Sequence, residues 1–140
     1  MDQVAQTIGS PSNLPSLVAV LTRITEEHGN GINQLLLQWV ATTFAQFTAN
    51  QNDLDIGDAH LGSFSSDASR NLTGLARGVE GRIFPFVNTG TQNIVLQHQN
   101  VGSLAANRVI TRTGADVIYA GGATGLLWYD LAASRWRTFI

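Results

Sequence analysis

The side chains of this sequence that could do chemistry are few: a short run of aspartates, three histidines and two isolated carboxylates. Asp53-Leu54-Asp55-Ile56-Gly57-Asp58 sets alternate carboxylates on a glycine-containing loop, the way oxygen ligands converge on calcium. A complete EF-hand loop needs glutamate at its twelfth position, and Phe64 stands there. A solvated linker with an Asx turn is the better expectation, and no metal is assigned. His28, His60 and His98 are more than 30 residues apart, with no HxH or HExxH spacing. His98 shares a face with Ile94 and Leu96, which makes it a core or interface histidine. Glu80 and Asp130 are the residue types of a glycosidase carboxylate pair, but nothing in the sequence brings them together. GxSxG, GxxxxGK[ST] and GxGxxG are absent. The glycine-rich stretch 121–125 falls between expected strands and opens no helix, so it lacks the N-terminal amides that cradle phosphate. It reads as a sheet corner. Cysteine is absent, which excludes disulfides, thiolate metal sites and a cysteine nucleophile. No enzyme and no cofactor are expected.

The elements that would position these residues divide into two kinds. Leu14, Leu17, Val18, Leu21, Ile24 and His28 follow helical spacing, with Asn13 as N-cap and Pro15 in the first turn. Gly29-Asn30-Gly31 ends that helix. Ile32, Leu35, Leu36, Trp39, Val40, Thr43 and Phe47 form a second helical stripe. Residues 49–69 are polar and broken by Gly and Asp, as in a linker with room for one short strand. From residue 70 the period changes to two, with short runs at 83–87, 93–98, 108–112, 116–119, 125–129 and 135–139. Turn signals separate these runs, which suits an antiparallel sandwich of jelly-roll type. Pro85 should put its strand at an edge or bulge. The expected fold class is α+β: a helical anchoring or oligomerisation segment over 1–50, a linker over 51–69 and a β-sandwich over 70–140.

Composition narrows the function. The chain has 140 residues, only 13% of them charged, and no lysine, against about 25% charged in an ordinary soluble domain. Asn, Gln, Ser and Thr supply 41 residues. So neutral a surface suits a chain that hides area in a subunit assembly. Residues 1–69 carry a net charge of −6 and residues 70–140 a net of +4. The seven arginines of the second half form no basic run, so nucleic acid is not an expected partner. They read as hydrogen-bond donors within and between subunits. No apolar run is long enough for a membrane span, and the first ten residues show no signal-peptide pattern.

An ordered string of pieces then carries a resemblance. These are Asn71-Leu72-Thr73-Gly74-Leu75, Gly81-Arg82-Ile83, Val87-Asn88-Thr89-Gly90-Thr91 and Asn93-Ile94-Val95-Leu96-Gln97-His98. Ser103, Ala105-Ala106-Asn107-Arg108, Tyr129-Asp130 and Arg135-Trp136-Arg137 complete it. From residue 71 onward, about half its length, the chain resembles a β-domain of bacteriophage virion proteins: head fibres, decoration proteins and tail-fibre tips. The resemblance implies a jelly-roll-like sandwich that forms a homotrimer at the virion surface, with major capsid or tail proteins as partners. It brings no catalytic residues. Arg82, Asn107, Arg108, Tyr129, Asp130, Trp136 and Arg137 are then expected in structural or intersubunit contacts, with Trp136 packed inward. The leading expectation is a head-associated decoration or fibre protein. The alternative is a tail-fibre receptor-binding module, in which Trp128 or Tyr129 stacks on a host-surface glycan. A long upstream shaft, usual in tail fibres, is not expected here.

Overall fold

Alternation between inward and outward side chains begins at residue 41, well before the polar segment that precedes the expected sandwich. The computed structural model describes residues 39–139. The helical stripe over 14–28 and the start of the second lie outside the described residues. Nine strands follow one another: β1 (Ala41–Thr43), β2 (Leu61–Phe64), β3 (Arg70–Leu72), β4 (Ile83–Asn88) and β5 (Ile94–Leu96) come first. After a 3-10 turn at Ala105–Asn107 come β6 (Val109–Ile110), β7 (Val117–Tyr119), β8 (Thr124–Asp130) and β9 (Arg135–Thr138). They form a six-stranded sheet, β1-β2-β4-β8-β9-β6, and a three-stranded sheet, β3-β5-β7.

Both sheets close on one core. Phe64, Phe84, Phe86, Leu127 and Trp136 enter it from the larger sheet, and Leu72, Ile94, Leu96 and Tyr119 from the smaller. The aromatic rings are in direct contact. Phe44, Phe47 and Phe86 lie 5.1, 5.3 and 5.3 Å from Phe64, and Tyr119 meets Phe86 edge-on at 4.9 Å. Their mutual burial is the main stabilising contribution, at about 1.5–3 kcal/mol per large side chain. A mostly-β fold of two sheets over a shared core is what the period-two pattern implies.

The strand pairing differs from the expectation. Four of the seven pairs are parallel: β1–β2, β2–β4, β3–β5 and β6–β9. Thr42 sits beside Gly62 and Gly62 beside Phe86. On the opposite wall Gln51 sits beside Leu72 and Leu72 beside Leu96. Three successive passes of the chain therefore lie one on another, as rungs of a solenoid do. The antiparallel strands β7 and β8 then close the stack against β5 and β4. Short strands separated by polar corners look the same in sequence whether the corner reverses the chain or carries it around a coil. That ambiguity produced the antiparallel expectation.

Three further corrections follow from the same stacking. Residues 41–43 are strand and Phe47 bridges to Ser66, although the residues from Trp39 to Phe47 have helical spacing. The backbone groups that would close helical turns pair instead with the second pass: Phe44 N–H donates to Ser63 and Phe47 N–H to Ser65. The segment 51–69 has the one short strand that its sequence allowed, β2, but it is no linker, since it buries Ile56, Ala59, Phe64 and Ser66. Pro85 lies in an interior strand. β2 reaches only Phe86, Val87 and Asn88, so the missing proline N–H removes no ladder bond.

Candidate functional site

The densest polar cluster forms where the first pass meets the 3-10 turn. Asp53 has a left-handed backbone, with φ of 50°, which Asp tolerates better than most residues. Its Oδ1 accepts the Leu104 N–H and the Asn107 Nδ2–H, each at 2.9 Å. Its own N–H donates to Ser103 Oγ at 3.0 Å. Ser103 and Thr73 are buried with their hydroxyls 2.7 Å apart, and Thr73 Oγ1 lies 2.7 Å from Asn52 Oδ1. One directed chain satisfies all four groups: Asp53 N–H to Ser103, Ser103 to Thr73, Thr73 to Asn52. Arg108 Nε donates to the Ser103 carbonyl at 2.9 Å, and the Leu75 N–H donates to the Asn107 carbonyl at 2.9 Å. These bonds hold the turn to the stack.

A second cluster surrounds the terminal hairpin. Trp136 is fully buried and donates Nε1–H to the Leu75 carbonyl at 2.8 Å. Tyr129 packs edge-on against it, with centroids 5.3 Å apart and planes at 76°. Arg137 Nε donates to Asp130 Oδ2 at 2.6 Å across the hairpin, whose reversal at 131–134 is stabilised by the Ala133 N–H on Asp130 Oδ1. Asp130 is thus committed to Arg137, and Glu80 is exposed and forms no ion pair among the described residues.

Arg82 works as a clamp. Nη2 donates to the Gly57 and Ala59 carbonyls at 2.8 and 2.7 Å, and Nη1 to the Arg77 carbonyl at 2.8 Å. The corner of the first pass is thereby tied to the corner of the second. Burial draws the Arg82 pKa down, and the nearby Asp58 charge works against that.

The aspartates set the acid response. Asp55 is held below the ordinary carboxylate range by the Arg77 guanidinium and the Gly57 N–H, Asp67 by Arg70, and Asp130 by Arg137. A lowered folded pKa means that the unfolded chain binds more protons in acid. This contribution is intact above the unfolded carboxylate value of about 4 and is lost as pH falls through the lower folded values. Urea midpoints are therefore expected to fall between about pH 5 and pH 2, with a shallower slope in Asp130→Asn.

The structure separates the remaining sequence candidates. Asp53 and Asp55 face different partners, and among the described residues no three His, Asp or Glu side chains gather as a metal site requires. His98 is half-buried, with Nδ1 placed to accept the Thr111 N–H at 3.1 Å. His60 is exposed and accepts the Val40 N–H at 3.1 Å. His28 lies outside the described residues. The turn expected near Gly121 is present, with Gly122 at φ 82°. Tyr129 is only 5% exposed, so it offers no face to a glycan; its position alternates inward on β8. Trp128 points to the other side, half-exposed, 6.3 Å from the Phe139 ring.

That other side is unusual. The outward positions of the six-stranded sheet include Leu61, Ile83, Pro85, Val87, Leu126 and Trp128, so β4 and β8 are apolar on both faces. Ile83 is 46% exposed and neighbouring Phe139 48%. Strands that are apolar on both faces belong to sheets covered on both faces. The Thr73–Ser103–Asp53 network was not legible as a site, because its links span 30 and 50 residues of sequence. Two of its members, Thr73 and Ser103, do lie in the pieces that carry the resemblance.

No helix among the described residues is long and apolar enough to cross a membrane. Comparison with protein-family models, curated proteins and solved structures found no match.

Proposed function

We propose that this chain is a bacteriophage virion structural protein, a head-associated decoration or fibre protein. Its N-terminal part would bind the shell, and its β-domain would stand outward as a homotrimer without catalytic activity. The observation that supports this most is how the resembling residues are used. Asn107, Arg108, Tyr129, Asp130, Trp136, Arg137 and Arg82 all make internal hydrogen bonds or packing contacts. A signature spent on rigidity is that of a scaffold, and an active site would leave some of these groups free. The apolar outer face of the six-stranded sheet supports self-association. Buried against other copies, it would resemble the apolar centre of an obligate interface.

Two measurements test the proposal. Light scattering of the purified chain at micromolar concentration is expected to give three times the 15.0 kDa of one chain. Trp128→Glu, at the centre of the outer face, is expected to give folded monomers. A monomeric wild type would remove the trimer. Immunogold electron microscopy of intact virions, with antibody against residues 70–140, is expected to label the head. Gold confined to the tail would replace the decoration role with the receptor-binding one, and unlabelled virions would remove both.

A further inference from the structure

A groove of about 620 Å³ opens between the corner of the first pass, at residues 57–60, and that of the second, at residues 77–83. Trp39 stands on one side, 56% exposed, with the His60 ring tilted at 42° and 6.2 Å away. Val79, well exposed, also lines the groove, and Ile83 marks its rim where it meets the outer face of the six-stranded sheet. Asp58 and Arg77 supply its polar groups. We propose that this groove binds a neutral hexopyranose.

The chemistry of the lining selects that ligand class. A pyranose ring has an apolar C–H face and a rim of hydroxyls, each both donor and acceptor. An exposed indole offers a flat, weakly hydrated surface for the first. For the second, Asp58 is a carboxylate with no hydrogen bond or ion pair among the described residues, and carboxylates only accept. Arg77 uses Nε and Nη2 on Asp55, at 3.0 and 3.1 Å, and its Nη1 has no acceptor among the described residues. His60 accepts the Val40 N–H on Nδ1 at 3.1 Å, which assigns the second proton donor to Nε2. Acceptor and donors thus flank one aromatic platform. Asp58 and Asp55 both lie within electrostatic reach of Arg77 and Arg82, so two carboxylates offset two guanidiniums, the groove has no net pull on an anion, and an acidic sugar would meet the Asp58 charge.

The backbone of the two corners is also tied together before any ligand arrives. The Arg82 clamp fixes the carbonyls of Gly57, Ala59 and Arg77, and the Asp55 fork fixes the Arg77 side chain. A lining already ordered loses little entropy on binding. Single sites of this kind are weak, and repetition on an oligomer multiplies their effect.

The proposal is read on the isolated protein and stands whichever part of the virion carries the chain. The test titrates the full chain with maltotriose, lactose and mannotriose by heteronuclear NMR, with sialyllactose as the anionic comparison. Binding of at least one neutral sugar is expected, with shifts centred on the Trp39 indole. Trp39→Ala and Asp58→Asn are each expected to weaken it about tenfold or more, while Ile118→Ala, exposed on the three-stranded sheet, leaves it unchanged. Asp58 is exposed and contributes nothing to the core, so Asp58→Asn decides the matter if Trp39→Ala does not fold. Silence of all three neutral sugars at about 10 mM, unchanged affinity in Asp58→Asn, or binding of sialyllactose alone would each overturn the proposal. Head labelling combined with sugar silence would remove the groove and leave the structural role standing.

Discussion

Trp136→Ala is expected to lower the free energy of unfolding by about 4 kcal/mol, within the range for large buried aromatics. The indole is fully buried and central to its sheet, paired in register with Val109 on one side and Tyr129 on the other. Removing it leaves a cavity beside Tyr129, and it also strands the Leu75 carbonyl, which accepts the indole N–H at 2.8 Å and belongs to a fully buried residue. Domains of this size hold about 5–15 kcal/mol in total, so the variant should be partly unfolded near physiological temperature. Trp136→Phe separates the two contributions. It keeps most of the apolar volume, loses the hydrogen bond, and should cost about 1–2 kcal/mol more than repacking alone. Urea denaturation followed by tryptophan fluorescence and circular dichroism measures both. A cost below about 1 kcal/mol for the alanine variant would mean that the indole does not anchor the closing hairpin.

Gly74→Ala is the other severe change, for a steric reason. A methyl group at this position would lie 2.5 Å from the Asn107 carbonyl oxygen and 2.6 and 2.7 Å from Ser103 Oγ and Cβ. These neighbours cannot yield. The Asn107 carbonyl accepts the Leu75 N–H, and Ser103 Oγ is held by the Asp53 N–H and by Thr73. Overpacking against fixed backbone costs about 3 kcal/mol, which in a domain of this size lowers the melting temperature by roughly 15 °C. Gly81→Ala isolates the purely conformational cost. Gly81 has φ of 73° but open space around a Cβ, so only about 1 kcal/mol is expected. Thermal unfolding of both variants should place Gly74→Ala well below Gly81→Ala. Equal melting temperatures would mean that the turn at Ala105–Asn107 is not pinned to the stack.

How much of this was legible in the sequence depends on what flanks a strand and on distance along the chain. The runs that became β4 to β9 were readable, because turn signals bracket each of them. β1 and β2 are no shorter than β5, but β1 sits inside a run of helical spacing and β2 lies among Asn, Ser, Asp and Gly that mark corners and look like solvated loop. What makes 51–69 part of the core is the second and third passes lying against it, and that is invisible locally. Trp39, Val40, Thr43 and Phe47 happen to fit helical spacing, and pairing with the next pass outweighs so weak a preference. In the hairpin, Trp136 inward and Arg137 outward follow from alternation alone. The contacts of Asp53 with Ser103 and Asn107 span 50 and 54 residues, and no spacing rule reaches across such a distance. Trp39 was hidden for the opposite reason, since a convincing local pattern assigned it to a buried stripe.

The parallel stack of passes makes the length of this molecule quantised. Thr42 lies beside Gly62 and Gly62 beside Phe86, so one pass takes 20 to 24 residues and adds about 4.8 Å. A duplicated pass inserted between the second and third would meet the same neighbours above and below, and the closing strands β7 and β8 would move outward unchanged. A one-residue insertion within a strand would instead turn every following inward side chain toward solvent. Evolution can therefore lengthen or shorten such a module only in whole rungs, which gives it a built-in ruler.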